Sequence, residues 1–202
     1  MKTLLDIGCN VGGFSLYFPD KFDRFILVDA NNEALEEAKK KQYGGEAVFL
    51  NFAVGAGASK TLFLNSGSVL SSTSQKWQES GRFKDTTWTG TTVVPAISLQ
   101  ALVDDYEPAF IKIDIEGGEL EAIQTLTKKA CPLCFEWVRE FKDDAIAAME
   151  YLVSLGYTQF AIGKGDYPLG EPANYQGLLE AKNTVLEYIS SDNNMWGMVN
   201  AK

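Results

Sequence analysis

Between Leu4 and Phe18 the chain reads LLDIGCNVGGFSLYF: an apolar run meets an acid, bends through glycines and resumes as an aromatic-rich segment. Leu4, Leu5 and Ile7 predict a buried strand, Gly8 to Gly13 a tight turn, and Phe14 to Phe18 the first turns of a helix that Pro19 closes. A strand, a glycine turn and a helix in that order commit the start of the chain to an α/β unit. They also place a ligand cradle at the end of the strand. Glycine lets backbone approach a bound molecule closely, and a helix N-terminus presents N–H groups and a positive dipole.

Downstream, strand and helix patterns alternate, the signature of an α/β sheet. Arg24 to Asp29 predicts the second strand, Asn32 to Gln42 a charged helix, and Ala47 to Val54 the third strand. Lys60 to Leu64 and Thr91 to Val94 read as further strands around a long polar segment, and Ser98 to Asp104 as a helix. Phe110 to Ile115 reads as a strand, Leu120 to Leu126 as a helix face, Leu133 to Trp137 as a strand, and Ala145 to Leu155 as a helix. Tyr157 to Ile162 and Met195 to Val199 supply the last two strands. The expected architecture is a mainly parallel, doubly wound, Rossmann-like sheet with its ligand at the carboxyl ends of the strands.

Composition narrows the function. With 202 residues, 46% hydrophobic and 22% charged, the expectation is one globular domain over 1–202. No apolar run reaches the roughly 18 residues that span a bilayer. Met1-Lys2-Thr3 leads straight into a strand rather than a signal peptide, so no membrane association and a cytoplasmic location are expected. A net charge of -9 disfavours nucleic acid as a partner, because that affinity rests on clustered Lys and Arg. Cys9, Cys131 and Cys134 have no second pair and no histidine to complete a zinc site, and are expected as reduced thiols. The sequence holds no histidine at all. That excludes a histidine base, a serine-histidine triad and a histidine-bound metal, leaving carboxylates, Lys and Tyr as bases.

The turn discriminates between ligands. A dinucleotide fingerprint wants G-x-G-x-x-G, whereas Asn10 stands where the second glycine lets a pyrophosphate approach. Asp6 at the mouth of the turn repels phosphate and suits the ammonium of a methionine moiety. Asp29, about twenty residues beyond Gly8, stands where an acid accepts hydrogen bonds from a ribose diol. Taken alone, Asp6 is equally a turn cap and Asp29 a loop start; together they favour S-adenosylmethionine. An oxidoreductase using a nicotinamide dinucleotide is the second reading, and a non-catalytic module that keeps the fold and the cofactor pocket is the third.

DIGCNVGGFSLYF resembles the first motif of FkbM-type S-adenosylmethionine-dependent methyltransferases, NFAVG at Asn51 to Gly55 is similar to their third-strand segment, and IKIDIEGGEL at Ile111 to Leu120 resembles their most distinctive motif. The resemblance implies a seven-stranded class I methyltransferase sheet and O-methylation of a hydroxyl on a sugar, glycan or secondary metabolite. It implies a cofactor site over Asp6, Gly8, Cys9, Asn10, Gly12, Gly13 and Phe14, continuing through Asp29 and Ala30 to Asn51, Phe52, Ala53 and Asp114. Asn51 and Phe52 are expected near the adenine. Members of the family often carry residues before the first strand, where this chain has Met1 and Lys2.

IKIDIEGGEL also speaks for itself. Side chains alternate along a strand, so Lys112, Asp114 and Glu116 are expected on one side and Ile111, Ile113 and Ile115 on the other. Ionisable groups in a central parallel strand are costly unless paired or facing a cleft. Asp114 and Glu116 are the candidate bases. A Lys112–Asp114 ion pair with Glu119 complementing a helix dipole is the plainer reading for Lys112 and Glu119. Glu136, ending the strand LCFEW, is the next candidate base, and Trp137 beside it a cleft wall; the plainer pair is a capping acid and a core aromatic. Several carboxylates suit Mg²⁺, which prefers oxygen ligands, but nothing in the sequence calls for it, and no metal ligand is assigned.

The polar segment 65–90 is expected to be an acceptor-binding lid, since loops beyond about 15 residues are commonly functional. Trp77, Phe83 and Trp88 offer flat faces for a small-molecule or glycan acceptor, and Ser66, Ser68, Ser71 and Ser72 offer orienting hydroxyls.

Overall fold

A computed structural model of the chain describes residues 1–67, 70–82, 85–165, 174–191 and 196–202. The chain opens with β1 (Thr3–Ile7), α1 (Gly13–Leu16), β2 (Arg24–Asp29), α2 (Asn32–Lys39) and β3 (Glu46–Asn51). An insertion follows, made of β4 (Ala53–Val54), β5 (Ser59–Asn65), α3 (Gln75–Glu79) and β6 (Trp88–Ile97). Then come α4 (Leu99–Tyr106), β7 (Phe110–Ile113), α5 (Glu119–Gln124), β8 (Leu133–Val138), α6 (Lys142–Ser154), β9 (Phe160–Ile162), α7 (Leu178–Ser191) and β10 (Trp196–Ala201).

Seven strands form one sheet in the order β3-β2-β1-β7-β8-β10-β9. Strands β3 to β8 of that order pair in parallel, and β10 runs antiparallel to both of its neighbours. This is the doubly wound, mainly parallel class I methyltransferase sheet. The strand order reverses between β1 and β7, so the crevice lies beyond Ile7 and Ile113, where the two strands end.

Burial follows the layers. All five residues of β1 are buried, as a central parallel strand demands. On one face Leu5, Ile7, Ile26, Val28, Ile111, Ile113 and Phe135 pack against apolar residues of α4, α5, α6 and α7. On the other, Leu4, Phe25 and Leu27 meet Phe18, Phe22 and Leu35. Helices therefore cover both faces. No helix among the described residues is long and apolar enough to cross a membrane.

Several boundaries differ from the sequence expectation. Ala47 to Val54 is two strands, because the Asn51 side chain donates to the carbonyls of Asp29 (3.0 Å) and Ala30 (3.1 Å) and turns the chain around the end of β2. The expected strands at Lys60 to Leu64 and Thr91 to Val94 exist but leave the main sheet: β4, β6 and β5 form a separate three-stranded sheet. Segment 65–90 is shorter as a loop than expected, since β5 and β6 extend into it and α3 lies within it. Ser68, Phe83 and Met195 lie outside the described residues. Helix α7 went unread.

Candidate active site

The turn after β1 is held by its own backbone. Gly8 has φ +69°, and a Cβ there would lie 1.7 Å from the Asp114 carbonyl oxygen, so only glycine fits between the ends of β1 and β7. The N–H groups of Gly8 (2.9 Å) and Cys9 (3.1 Å) donate to the Val28 carbonyl, and that of Gly12 to Cys9 (2.7 Å). Asn10, at φ +48°, donates its N–H to Asp29 Oδ2 at 2.7 Å. Four N–H groups of the turn are engaged in this way. Asp29 also accepts from the Asn31 N–H (2.7 Å). Burial raises its carboxyl above the ordinary value, against the opposing pull of those two backbone bonds.

Behind the turn lies a polar knot. Asp6 is fully buried and accepts from Ser15 Oγ at 2.7 Å. Lys112 Nζ reaches Asp6 at 3.3 Å, Asp114 at 3.4 Å and the Gly8 carbonyl at 2.7 Å. Burial pulls its ammonium down, but Asp114 and Asp6 together hold it above the ordinary value. The Phe14 ring stands 5.6 Å from the same Nζ. Asp6 thus sits behind the turn rather than in its mouth, its charge balanced by Lys112. Lys112 ties the ends of β1 and β7 together, and Cys9 is buried with Leu4, Phe18 and Phe25.

Beyond β7 the alternation expected of FIKIDIE fails, because the strand ends at Ile113 and Glu116 adopts φ +57°. Glu119 reaches back to accept the N–H groups of Ile115 (2.8 Å) and Gly117 (3.0 Å), and Ser72 Oγ donates to the Glu116 carbonyl at 2.6 Å. Burial, then the Asp114 and Glu119 charges, push the Glu116 carboxyl well above its ordinary range. Burial pushes Glu119 up to about 7. Glu136, in β8, is raised by burial and by Asp114, Glu116 and Glu119. Asp114, Glu119 and Glu136 bring carboxylate oxygens within 4.8 Å of one another. Lys112 supplies positive charge beside Asp114, and each Glu119 oxygen accepts one backbone N–H.

An open cleft of about 150 Å³ runs from the turn to this loop. Of the expected residues, Gly8, Asn10, Asp29, Ala30, Phe52, Ala53, Ser71, Ser72, Asp114 and Glu116 line it. Gly12, Gly13 and Asn51 support the cleft from outside its lining. Gly12, at φ +78°, packs against the Tyr43 hydroxyl. The expected aromatic walls stand elsewhere. Trp77 is buried and stacked on Phe141 (5.8 Å between centroids), so its face is covered. Trp137 is in the main core, donating Nε1–H to the Gly163 carbonyl (3.2 Å), and Trp88 opens β6 opposite Asn65. Ser71 Oγ accepts from the Asn65 N–H at 3.1 Å. Leu62, Thr73 and Glu119 were not read as site residues. For Glu119 the signal was present, an acid placed to reach back over two glycines at a helix start.

The description "Methyltransferase FkbM domain" matches residues 6–167. No curated protein matches the sequence. Among solved structures, a precorrin 8w decarboxylase of Methanobacterium thermoautotrophicum is 13% identical over 100% of this chain and 81% of its own, with a TM-score of 0.47. The plantazolicin methyltransferase BpumL, in complex with SAH, is 11% identical over 100% of this chain and 76% of its own, with a TM-score of 0.43. The assignment rests on the domain match, which spans the glycine turn, the second sheet and the carboxylate loop: the chain belongs to the FkbM methyltransferase domain family.

Proposed function

We propose that the chain is an S-adenosylmethionine-dependent O-methyltransferase acting on a hydroxyl of a sugar, glycan or secondary metabolite. The observation that carries this reading is one cleft with two unlike ends. Gly8, Asn10, Asp29, Ala30, Phe52 and Ala53 line one end, Glu116 lies toward the other, and Asp114 stands at the junction against Gly8. The first end suits a nucleoside: an acid for the ribose hydroxyls and apolar Phe52 and Ala53 for the adenine. Asn10, standing where a dinucleotide site wants its second glycine, disfavours the oxidoreductase reading.

S-adenosylmethionine, when bound, supplies an electrophilic methyl whose carbon–sulfur bond breaks as the new oxygen–carbon bond forms. The chain's own residues hold donor and acceptor in line and remove the acceptor proton. Glu116 takes that proton. Its raised affinity for a proton makes it a stronger base than a solvated glutamate, and a positive charge arriving in the cleft favours its ionised form. Asp114 pairs with Lys112 at the junction of the two ends. An end lined by carboxyls suits neutral or cationic acceptors and repels phosphate or carboxylate groups.

The test is incorporation of labelled methyl from S-adenosylmethionine across hydroxylated glycans and metabolites. Glu116→Gln keeps volume and is expected to cut turnover by roughly 100-fold or more while S-adenosylhomocysteine affinity holds. Normal turnover in that variant moves the base to Asp114 or Glu136.

A further inference from the structure

A glutamate at φ +57° is in a region that L side chains rarely adopt, and such a conformation persists only where its surroundings over-determine it. Here they do so from two sides. Glu119, the first residue of α5, accepts the N–H groups that flank Glu116, those of Ile115 and Gly117, one on each oxygen. Ser72 donates to the Glu116 carbonyl itself. Ser72 is firmly placed: its N–H and carbonyl pair with Phe63 of β5 (3.2 and 2.8 Å), and its Oγ accepts from the Ser74 N–H (2.9 Å). Ser74 in turn caps α3 by accepting from the Trp77 N–H at 3.3 Å. Gly117, at φ +90°, closes the arrangement, with Trp77 and Phe141 packed around the space its missing side chain leaves.

We propose that Ser72 and Glu119 are positioning residues that hold Glu116 in its left-handed conformation, so that the carboxyl meets the acceptor only while the β5–α3 segment is docked. This rests on the reading of Glu116 as the base. The Ser72 contact acts on the Glu116 carbonyl and the two Glu119 contacts on the N–H groups either side of it. Ser72, which lies on the segment expected to meet the acceptor, thereby acts on the alignment of the carboxyl rather than on the acceptor directly. A change at Ser72 alters where the Glu116 carboxyl sits without altering any charge in the cleft.

The experiment is a ¹³C-carboxyl NMR titration of the full chain for the wild type, Ser72→Ala, Ser72→Thr and Glu119→Gln, with S-adenosylhomocysteine affinity measured on the same samples. Ser72→Ala is expected to move the Glu116 midpoint by about half a unit or more, and Ser72→Thr, which keeps the hydroxyl, to restore it. Glu119→Gln removes a charge, so the readout there is amide exchange at Ile115 or Gly117, expected to quicken roughly tenfold. S-adenosylhomocysteine affinity stays within about threefold in all variants. An unchanged Glu116 midpoint in Ser72→Ala, whatever its melting temperature, overturns the proposal, as does failure of both Ser72→Ala and Glu119→Gln to fold. Absence of S-adenosylhomocysteine binding by the wild type overturns the cofactor reading instead, and the titration still judges the clamp.

Discussion

The two ends of the cleft are built on opposite plans. At the turn, one βαβ unit satisfies itself: Gly8, Cys9, Asn10 and Gly12 donate to Val28, Asp29 and Cys9. At the carboxylate loop, Glu119 fixes the backbone from nearby, but further groups come from afar, with Ser72 on the insertion and Trp77 and Phe141 closing over Gly117. Charge divides the same way. Asp6 and Asp114 at the junction share Lys112, whereas burial, and after it the Asp114 charge, raises the proton affinity of Glu116, Glu119 and Glu136. A backbone-held end gives a fixed seat for a ligand common to many enzymes. An end held by long-range contacts ties its carboxyls to the element that covers them.

The largest expected effect breaks the junction between the two ends. Gly8→Ala forces a Cβ toward the Asp114 carbonyl at a positive φ, and is expected to cost about 3 kcal/mol or more in denaturant unfolding and to abolish S-adenosylhomocysteine binding. A normally stable, binding-competent variant contradicts the geometry of both ends at once. Next, Trp77→Ala empties a buried stack and is expected to cost about 3 kcal/mol, read as opening of the β5–α3 segment by hydrogen exchange while the turn stays protected. Equal loosening of the turn shows that the ends are not independent.

A smaller effect reads the charge contrast. Glu119 has a folded value raised from 4.5 to about 7, so the folded state binds the extra proton. The stability it contributes is full below about pH 4.5 and is lost as pH rises through about 7. Glu116 and Glu136, raised in the same direction, extend the loss to higher pH. The melting temperature is expected to fall by about 5 °C between pH 5 and pH 8, equivalent to about 2 kcal/mol, and Glu119→Gln to flatten part of that slope. A rising melting temperature over this window contradicts the account of the carboxylate cluster.

The same contrast explains what the sequence reveals. The strands of the parallel half of the main sheet, the glycine turn and Asp29 at the end of β2 were legible because local periodicity and glycine placement carry them, as in Leu4, Leu5 and Ile7 before Gly8. The inward turn of Asp6 was not, since its partner Lys112 lies on β7, and a buried acid and an exposed one look alike in a strand pattern. The alternation read through Lys112, Asp114 and Glu116 holds to Asp114 and fails where Gly117 and Glu119 bend the chain. Trp77 and Trp137 read as open aromatic faces because an aromatic's own segment gives no sign of a distant partner, here Phe141 and Tyr188. Helix α7 was missed although Leu178, Ala181, Val185 and Tyr188 fall at helical spacing.

The cleft is expected to seat S-adenosylmethionine rather than a dinucleotide. The direct measurement is calorimetric titration of the full chain with S-adenosylhomocysteine and, in parallel, with NADH. One-site binding of S-adenosylhomocysteine is expected, competed by S-adenosylmethionine and weakened by about 1.5–3 kcal/mol in Asp29→Ala, with no heat from NADH. Saturable NADH binding with no response to S-adenosylhomocysteine overturns the assignment of the turn.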